Sequence, residues 1–266
     1  MSARDSYVQS QIYSTENATL VNTDKNTFSL TLDEPIFWER DLKHAKIAVT
    51  NAQIWNTVPN ILTDQNDRFY IKYGAFDSYV QFSQGQYSLS NMNDTLKRLM
   101  GAESLPEDLI ELIPDTATSK VVVKINYAAV EIDFSETNTM WELLGMLATT
   151  VITSPASPLP YNFSAPNIAQ FGAIRSFLIH SDLVPRGIGI NSKNYNVIAS
   201  VPLSLAQPGS LINYAPDFLE ATLLDVDHLI GHARSTLQFW LTDQNNELIN
   251  TGGEEWNLTL LFIFNY

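Results

Sequence analysis

The 266-residue chain contains no cysteine, which excludes disulfide stapling, thiolate catalysis and cysteine-based zinc sites together. It has no run of 18 consecutive apolar residues, so no transmembrane helix is expected. The first twenty residues, MSARDSYVQSQIYSTENATL, have no apolar core, and no signal peptide is expected from them. The sequons at Asn17, Asn93, Asn162 and Asn257 then read as chance. Basic residues are few: 15 Lys and Arg stand against 29 Asp and Glu, a formal charge of −14. Such a surface repels phosphates and there is no basic run to offset it, so direct nucleic-acid binding is not expected.

Catalytic signatures are also missing. The chain holds no G-x-S-x-G, no P-loop and no G-x-G-x-x-G. Of the four histidines only His228 and His232 cluster, in DVDHLIGH beside Asp225 and Asp227. On a helix the two rings would share a face. The motif lacks the acid that follows the first His in zinc hydrolases, and Gly231 argues for a loop, so a solvated loop is expected and no metal or other cofactor. Carboxylate pairs such as Glu131 and Asp133 are ordinary in so acidic a chain, and this one belongs on the solvent face of an alternating strand.

What is present is β-forming. At 45% hydrophobic and 17% charged the chain is globular. Its C-terminal stretch, WNLTLLFIFNY, places Trp256, Leu258, Leu260, Phe262 and Phe264 on one face of an extended strand. The other face is apolar only in its middle, at Leu261 and Ile263. That pattern predicts a strand paired on both edges, and FSLTL (28–32) is the expected neighbour. Strands are further predicted over 28–32, ending at Pro35, over 45–55 and over 68–73.

Residues 76–165 read differently. A helix begins near Ser90 with a Met92, Leu96, Leu99, Met100 stripe. Short strands follow, then a second helix in SETNTMWELLGML with its cap at Thr137 or Asn138, and a proline-rich connector, TSPASPLPYNFSAPN. The β pattern resumes with five more strands, among them SLINYAP and LEATLLDV as a pair or one broken strand. Three strands before 76 and five after 165 make eight, the number of a jelly roll. The expected fold class is therefore mainly β: a single eight-stranded jelly-roll β-sandwich with an α+β insertion after the third strand. The expected organisation is an extended arm over 1–24, the jelly roll over 25–75 and 166–266, and the insertion over 76–165. Tyr7, Val8, Ile12 and Tyr13 are the apolar residues with which the arm would anchor on assembly. Trp240 lies opposite the face taken by Leu237, Phe239 and Leu241. It belongs to a subunit contact or lies under the insertion, or else stacks on a glycan.

One resemblance adds to this reading. LQFWLTDQNNELINTGGEEWNLTLLF looks like the end of small capsid proteins of Polinton-like viruses, virophages and their relatives. GQYSLSNMNDTLKRLM, followed by KVVVKINYAAVEIDFSETNTMWELLGM, resembles their middle portion. The order of the motifs carries more than any one of them, and Asn245-Asn246 departs from the Asn-Gly expected in the hairpin. The resemblance implies a penton or minor capsid protein similar to the adenovirus penton base. Such a protein forms homopentamers at icosahedral vertices and meets a major double-jelly-roll capsid protein. A spike, fibre or host receptor is a further implied partner, engaged through the outward-projecting insertion. It implies a virion location, after assembly in the host cytoplasm or nucleus, and no enzymatic activity. The rival from the residues alone is a carbohydrate-binding or receptor-attachment module.

Overall fold

The computed structural model describes residues 7–172, 174–190, 193–203, 209–217 and 221–266. The chain is mainly β, with antiparallel sheets and one α-helix among the described residues. In chain order β1 (Tyr7–Ser14), β2 (Leu20–Val21), β3 (Thr27–Phe37) and β4 (His44–Trp55) come first. Next are β5 (Arg68–Tyr73), β6 (Phe76–Gln81), α1 (Leu89–Ala102), β7 (Ile110–Asp115), β8 (Lys120–Ile125), β9 (Glu131–Asp133), β10 (Val151–Thr153) and β11 (Tyr161–Ser164). The chain then runs through β12 (Ser176–Ser181), β13 (Gly189–Ile190), β14 (Lys193–Asn194), β15 (Val197–Pro202), β16 (Leu211–Tyr214) and β17 (Leu224–Asp225). A 3-10 turn at Asp227–Leu229 precedes β18 (Ala233–Thr242) and β19 (Asn257–Asn265).

Two compact units result: residues 1–58 with 174–266, and residues 59–173. The first unit is made of two sheets in the orders β1-β19-β4-β16, with β17 also on β4, and β15-β12-β18-β3-β2. One hydrophobic core draws on both. Leu258, Leu260, Phe262 and Phe264 of the first sheet and Phe28, Phe177, Leu237 and Phe239 of the second all belong to it. Two sheets facing each other over a shared core are the arrangement of a β-sandwich.

The pairing is nested. Numbered one to eight in chain order, the strands of four or more residues in this unit are β1, β3, β4, β12, β15, β16, β18 and β19. First pairs with eighth, second with seventh, third with sixth and fourth with fifth. Each of these pairs sums to nine, as along one long hairpin. Two further pairings, β19 with β4 and β12 with β18, join the rungs into two sheets.

The C-terminal strand is paired on both edges, but its neighbours are β1 and β4. The stretch FSLTL belongs to β3 in the other sheet, between β18 and β2. The strand β3 also runs past Pro35 to Phe37, because the ladder with β18 breaks register there and absorbs a residue that cannot donate. Close packing fixes the loop before β15. A Cβ on Gly187 would lie 2.0 Å from the Val197 carbonyl oxygen.

The second unit has its own core, containing Phe69, Ile71, Met92, Leu96, Leu112, Val123, Ile132 and Phe134. Its sheets run β10-β9-β5-β6 and β11-β8-β7. The strand at 68–73, expected in the same sheet system as 28–32 and 45–55, pairs here with β6 and β9, and the unit begins at 59. Helix α1 starts from Ser88, whose hydroxyl accepts from the Asn91 N–H, two residues before the expected cap. Met92, Leu96 and Met100 are fully buried, as their spacing predicts. The expected second helix is absent: residues 141–145 form turns. Gly145 sits at φ +74°, and a Cβ there would lie 2.4 Å from the Asn167 carbonyl oxygen, so a helix cannot continue through this close approach to the segment after β11. The segments SLINYAP and LEATLLDV also differ from expectation: β16 and β17 do not pair with each other but line up separately along β4.

Candidate functional site

The expected arm is structured from residue 7, and residues 1–6 lie outside the described residues. Its strand β1 runs antiparallel to β19, Tyr7 opposite Phe264 and Ser14 opposite Asn257. The four candidate residues separate by strand parity. Tyr7 and Tyr13 share the inward parity of the strand, but only Tyr13 enters the core, Tyr7 being 40% exposed at the strand's start. Tyr7 stacks on Phe264 at 4.5 Å, and Tyr13 is buried with its ring 5.3 Å from Phe239 of the opposite sheet. Burial holds the Tyr13 phenol well above its ordinary pKa, so it stays neutral. Val8 and Ile12 point away from the core and are 59% and 74% exposed. They share that face with the half-buried Leu261 and Ile263 of β19, since Val8 lies opposite Ile263 and Ser10 opposite Leu261. In a two-layer β unit an outward face is ordinarily polar.

Among the described residues, nothing pairs with the outer edge of β1, which leaves a row of backbone donors and acceptors facing outward. Strand β2, carrying a 69% exposed Leu20, is the matching edge of the second sheet. At the other side of the sandwich the edge strands are β15 and β16. Between them lies a groove of about 430 Å³ lined by Val201, Pro202, Ile212, Tyr214 and Pro216, with Ser200 and Asn213. Neither Leu20 nor this groove was expected from residue patterns. The signal that marks the groove in the sequence is a missing one: residues 194–216 contain no Asp, Glu, Lys, Arg or His in a chain that is 17% charged.

Trp240 is half-buried on β18 and stacks on His180 of β12 at 5.1 Å with 14° between the rings. The two residues are register partners, which is why they meet across 60 positions of sequence. His180 is 1% exposed, and its Nε2 lies 2.8 Å from the Thr242 hydroxyl. Burial lowers its pKa from 6.5 to about 4, so the imidazole is neutral at pH 7. One face of the Trp240 ring is thus taken by a buried histidine, which leaves less of it for a sugar. A stability effect follows. Folding favours the neutral ring, so its contribution is complete above pH 6.5 and falls away as pH drops from 6.5 to about 4. Integrated over that window it amounts to roughly 3 kcal/mol. Urea unfolding of His180→Gln beside the parent at pH 7 and pH 4.5 is expected to show a shallower loss on acidification in the variant. Equal losses would remove His180 as the cause.

The DVDHLIGH segment folds as the expected loop, with a 3-10 turn at Asp227–Leu229. Asp227 is engaged locally: its Oδ1 accepts from the Ala45 N–H at 2.7 Å and its Oδ2 lies 3.0 Å from His44 Nδ1. The Ala45 hydrogen bond, with help from His44, holds the carboxyl below its ordinary pKa. Among the described residues no group of three or more His, Cys, Asp or Glu side chains could hold a metal ion. In the second unit Glu131 and Asp133 flank the buried Ile132 on the half-exposed face of β9. They line a recess of about 50 Å³ with Tyr70, Lys72, Asp77 and Glu136. Lys72 spends its charge on Asp77 at 3.1 Å. That volume admits a water or two and no substrate. No described helix is long and apolar enough to cross a membrane.

The observations define a class: a mainly antiparallel β protein whose distinguishing surfaces are sheet edges and apolar outward faces. No family model matches the chain, and no curated protein matches it. Among solved structures it is similar to the crystal structure of the mavirus penton protein, with a TM-score of 0.44 and 10% identity over 97% of this chain and 99% of that one.

Proposed function

We propose that this chain is a structural subunit of a virion, a penton protein that acts by assembling into homopentamers at the vertices of an icosahedral capsid. The observation that carries the reading is the outward apolar row Val8, Ile12, Leu261 and Ile263 beside a strand edge that nothing pairs with among the described residues. A contiguous apolar surface of that kind suits a permanent contact with another protein. The nested pairing of eight strands supports reading the first unit as a jelly roll, the second unit being inserted between its third and fourth strands. The order of capsid-like motifs in the sequence supports the same reading.

In this role the partners are further copies of the chain and the major double-jelly-roll capsid protein. The unit 59–173 is the part we assign to a spike, fibre or receptor. The protein resides at the capsid vertex after assembly in the host cytoplasm or nucleus. Its work is assembly and not catalysis, and a charge of −14 keeps it from binding the genome directly.

Mass photometry of the purified chain tests this directly. The expected species has five times the 29.8 kDa subunit mass, with fivefold rings in negative stain. A single subunit-mass species up to high micromolar concentration, unchanged by adding the major capsid protein, would sink the proposal.

A further inference from the structure

The chain enters the second unit at residue 59 and leaves it at 173, and one side chain joins the two ends. Asn60 Nδ2 donates to the Phe171 carbonyl at 3.1 Å and to the Tyr87 carbonyl at 2.8 Å. Its Oδ1 accepts from the Tyr87 N–H at 2.8 Å. Both N–H groups and the oxygen are thus engaged, which neither a carboxylate nor an alkyl side chain could reproduce. The Asn60 backbone is fixed as well: its N–H donates to the Gly85 carbonyl at 3.1 Å, and its carbonyl accepts from Asn66 Nδ2 at 2.8 Å. Every one of these partners lies within 59–173, so the amide closes the unit upon itself.

The residues on either side of this neck sort cleanly. Val58 and Ile174 pack on the sandwich core, whereas Tyr87 and Phe171 pack on the core of the second unit. Pro59 alone separates Val58 from Asn60, and residues 172 and 173 separate Phe171 from Ile174. We propose that Asn60 is the clasp of a separable module. The sandwich folds and assembles without residues 59–173, and those residues keep their fold without the sandwich. Assembly and the contact with an outside partner are then carried by parts of one chain that fold independently. This inference rests on the reading above, which gives assembly to the first unit and the outside partner to the second.

The test replaces residues 59–173 by a Gly-Ser linker of about six residues, enough to span up to about 20 Å. With Trp141 gone, every remaining tryptophan belongs to the sandwich. The shortened chain is expected to keep those indoles shielded, and to form assemblies of the same subunit number as the parent in mass photometry. Exposed indoles, or folded subunits that stay single where the parent assembles, would overturn the proposal. If parent and shortened chain are both folded and both single, the assembly reading fails while the separable fold stands. Hydrogen exchange on the full chain tests the clasp itself. Asn60→Ala is expected to speed exchange roughly tenfold at the Tyr87 amide and at Gln170, which donates to the Leu143 carbonyl beside Phe171, with β19 unchanged. Asn60→Asp keeps the acceptor for Tyr87 and loses both donors, so Gln170 should be released while Tyr87 stays protected. Unchanged exchange at Gln170 in both variants, or release that spreads to β19, would refute Asn60 as the clasp.

Discussion

Removing residues 257–266 is expected to abolish folding of the first unit, and not merely to weaken its association. Strand β19 lies between β1 and β4, so its loss strips β1 of its ladder partner and β4 of one of its two edges' pairings. It also withdraws Leu258, Leu260, Phe262 and Phe264, each no more than 1% exposed. At about 1.5–3 kcal/mol for each buried side chain the loss is roughly 6–12 kcal/mol. Domains are stable by only about 5–15 kcal/mol in total. The second unit keeps its own core, so the signature must be specific to the first. Trp38, fully buried against Phe262, reports it. Its emission should shift to that of a water-exposed indole, and proteolysis should leave a protected fragment near 59–173. A truncated chain in which Trp38 stays shielded and 1–58 resists protease would show that β19 is not central.

The second large effect is expected at Trp256, the residue that leads into that strand. Its ring is 1% exposed, packs edge-on against Phe28 at 4.9 Å, and donates its Nε1–H to the Lys25 carbonyl at 2.7 Å. Its backbone N–H and carbonyl both engage Thr15, tying the end of β1 to the start of β19. Trp256→Ala should cost about 3–5 kcal/mol in urea unfolding, from lost burial and the cavity left behind. Trp256→Phe keeps an aromatic ring but leaves the Lys25 carbonyl without its donor, and should cost less, by an amount that includes about 1 kcal/mol for that hydrogen bond. An alanine variant within 1 kcal/mol of the parent would mean that the site closes over the loss, contrary to the packing described.

How much of this could be read from the sequence depended on whether each signal was local. The alternation of β19 and the helical stripe of Met92, Leu96 and Met100 are written in consecutive residues, and both elements form as their spacing predicts. Strand β1 was harder. YVQSQIYS puts Gln9 and Gln11 between the two tyrosines of its inward face, so it reads as a polar arm. It is a strand because β19 offers it a complete ladder, a case of tertiary context deciding β structure. The same cause moved 68–73. Its β character was legible, but the choice of β6 and β9 as partners depends on segments that no local pattern ties to it. The candidate residues followed suit. Tyr7, Val8, Ile12 and Tyr13 stood out as apolar, yet only the register shows that Tyr13 enters the core, that Tyr7 covers Phe264 beside it, and that Val8 and Ile12 face outward. The His180–Trp240 stack and the groove between β15 and β16 exist only through strand order, and only the uncharged run over 194–216 hinted at the latter.

The nested pairing also sets a schedule. Residues 59–173 form a contiguous unit, complete in sequence before the closing strand β19 is reached. The sandwich cannot close its first sheet until residues 257–265 exist, because β1 waits for a partner about 250 residues downstream. During synthesis the inserted unit can therefore fold on the ribosome, while β1 remains unclosed until residues 257–265 have been made. Pairings of such long sequence separation are slow to form, so each nascent subunit passes through an interval with its apolar strands uncovered and its neighbours close by.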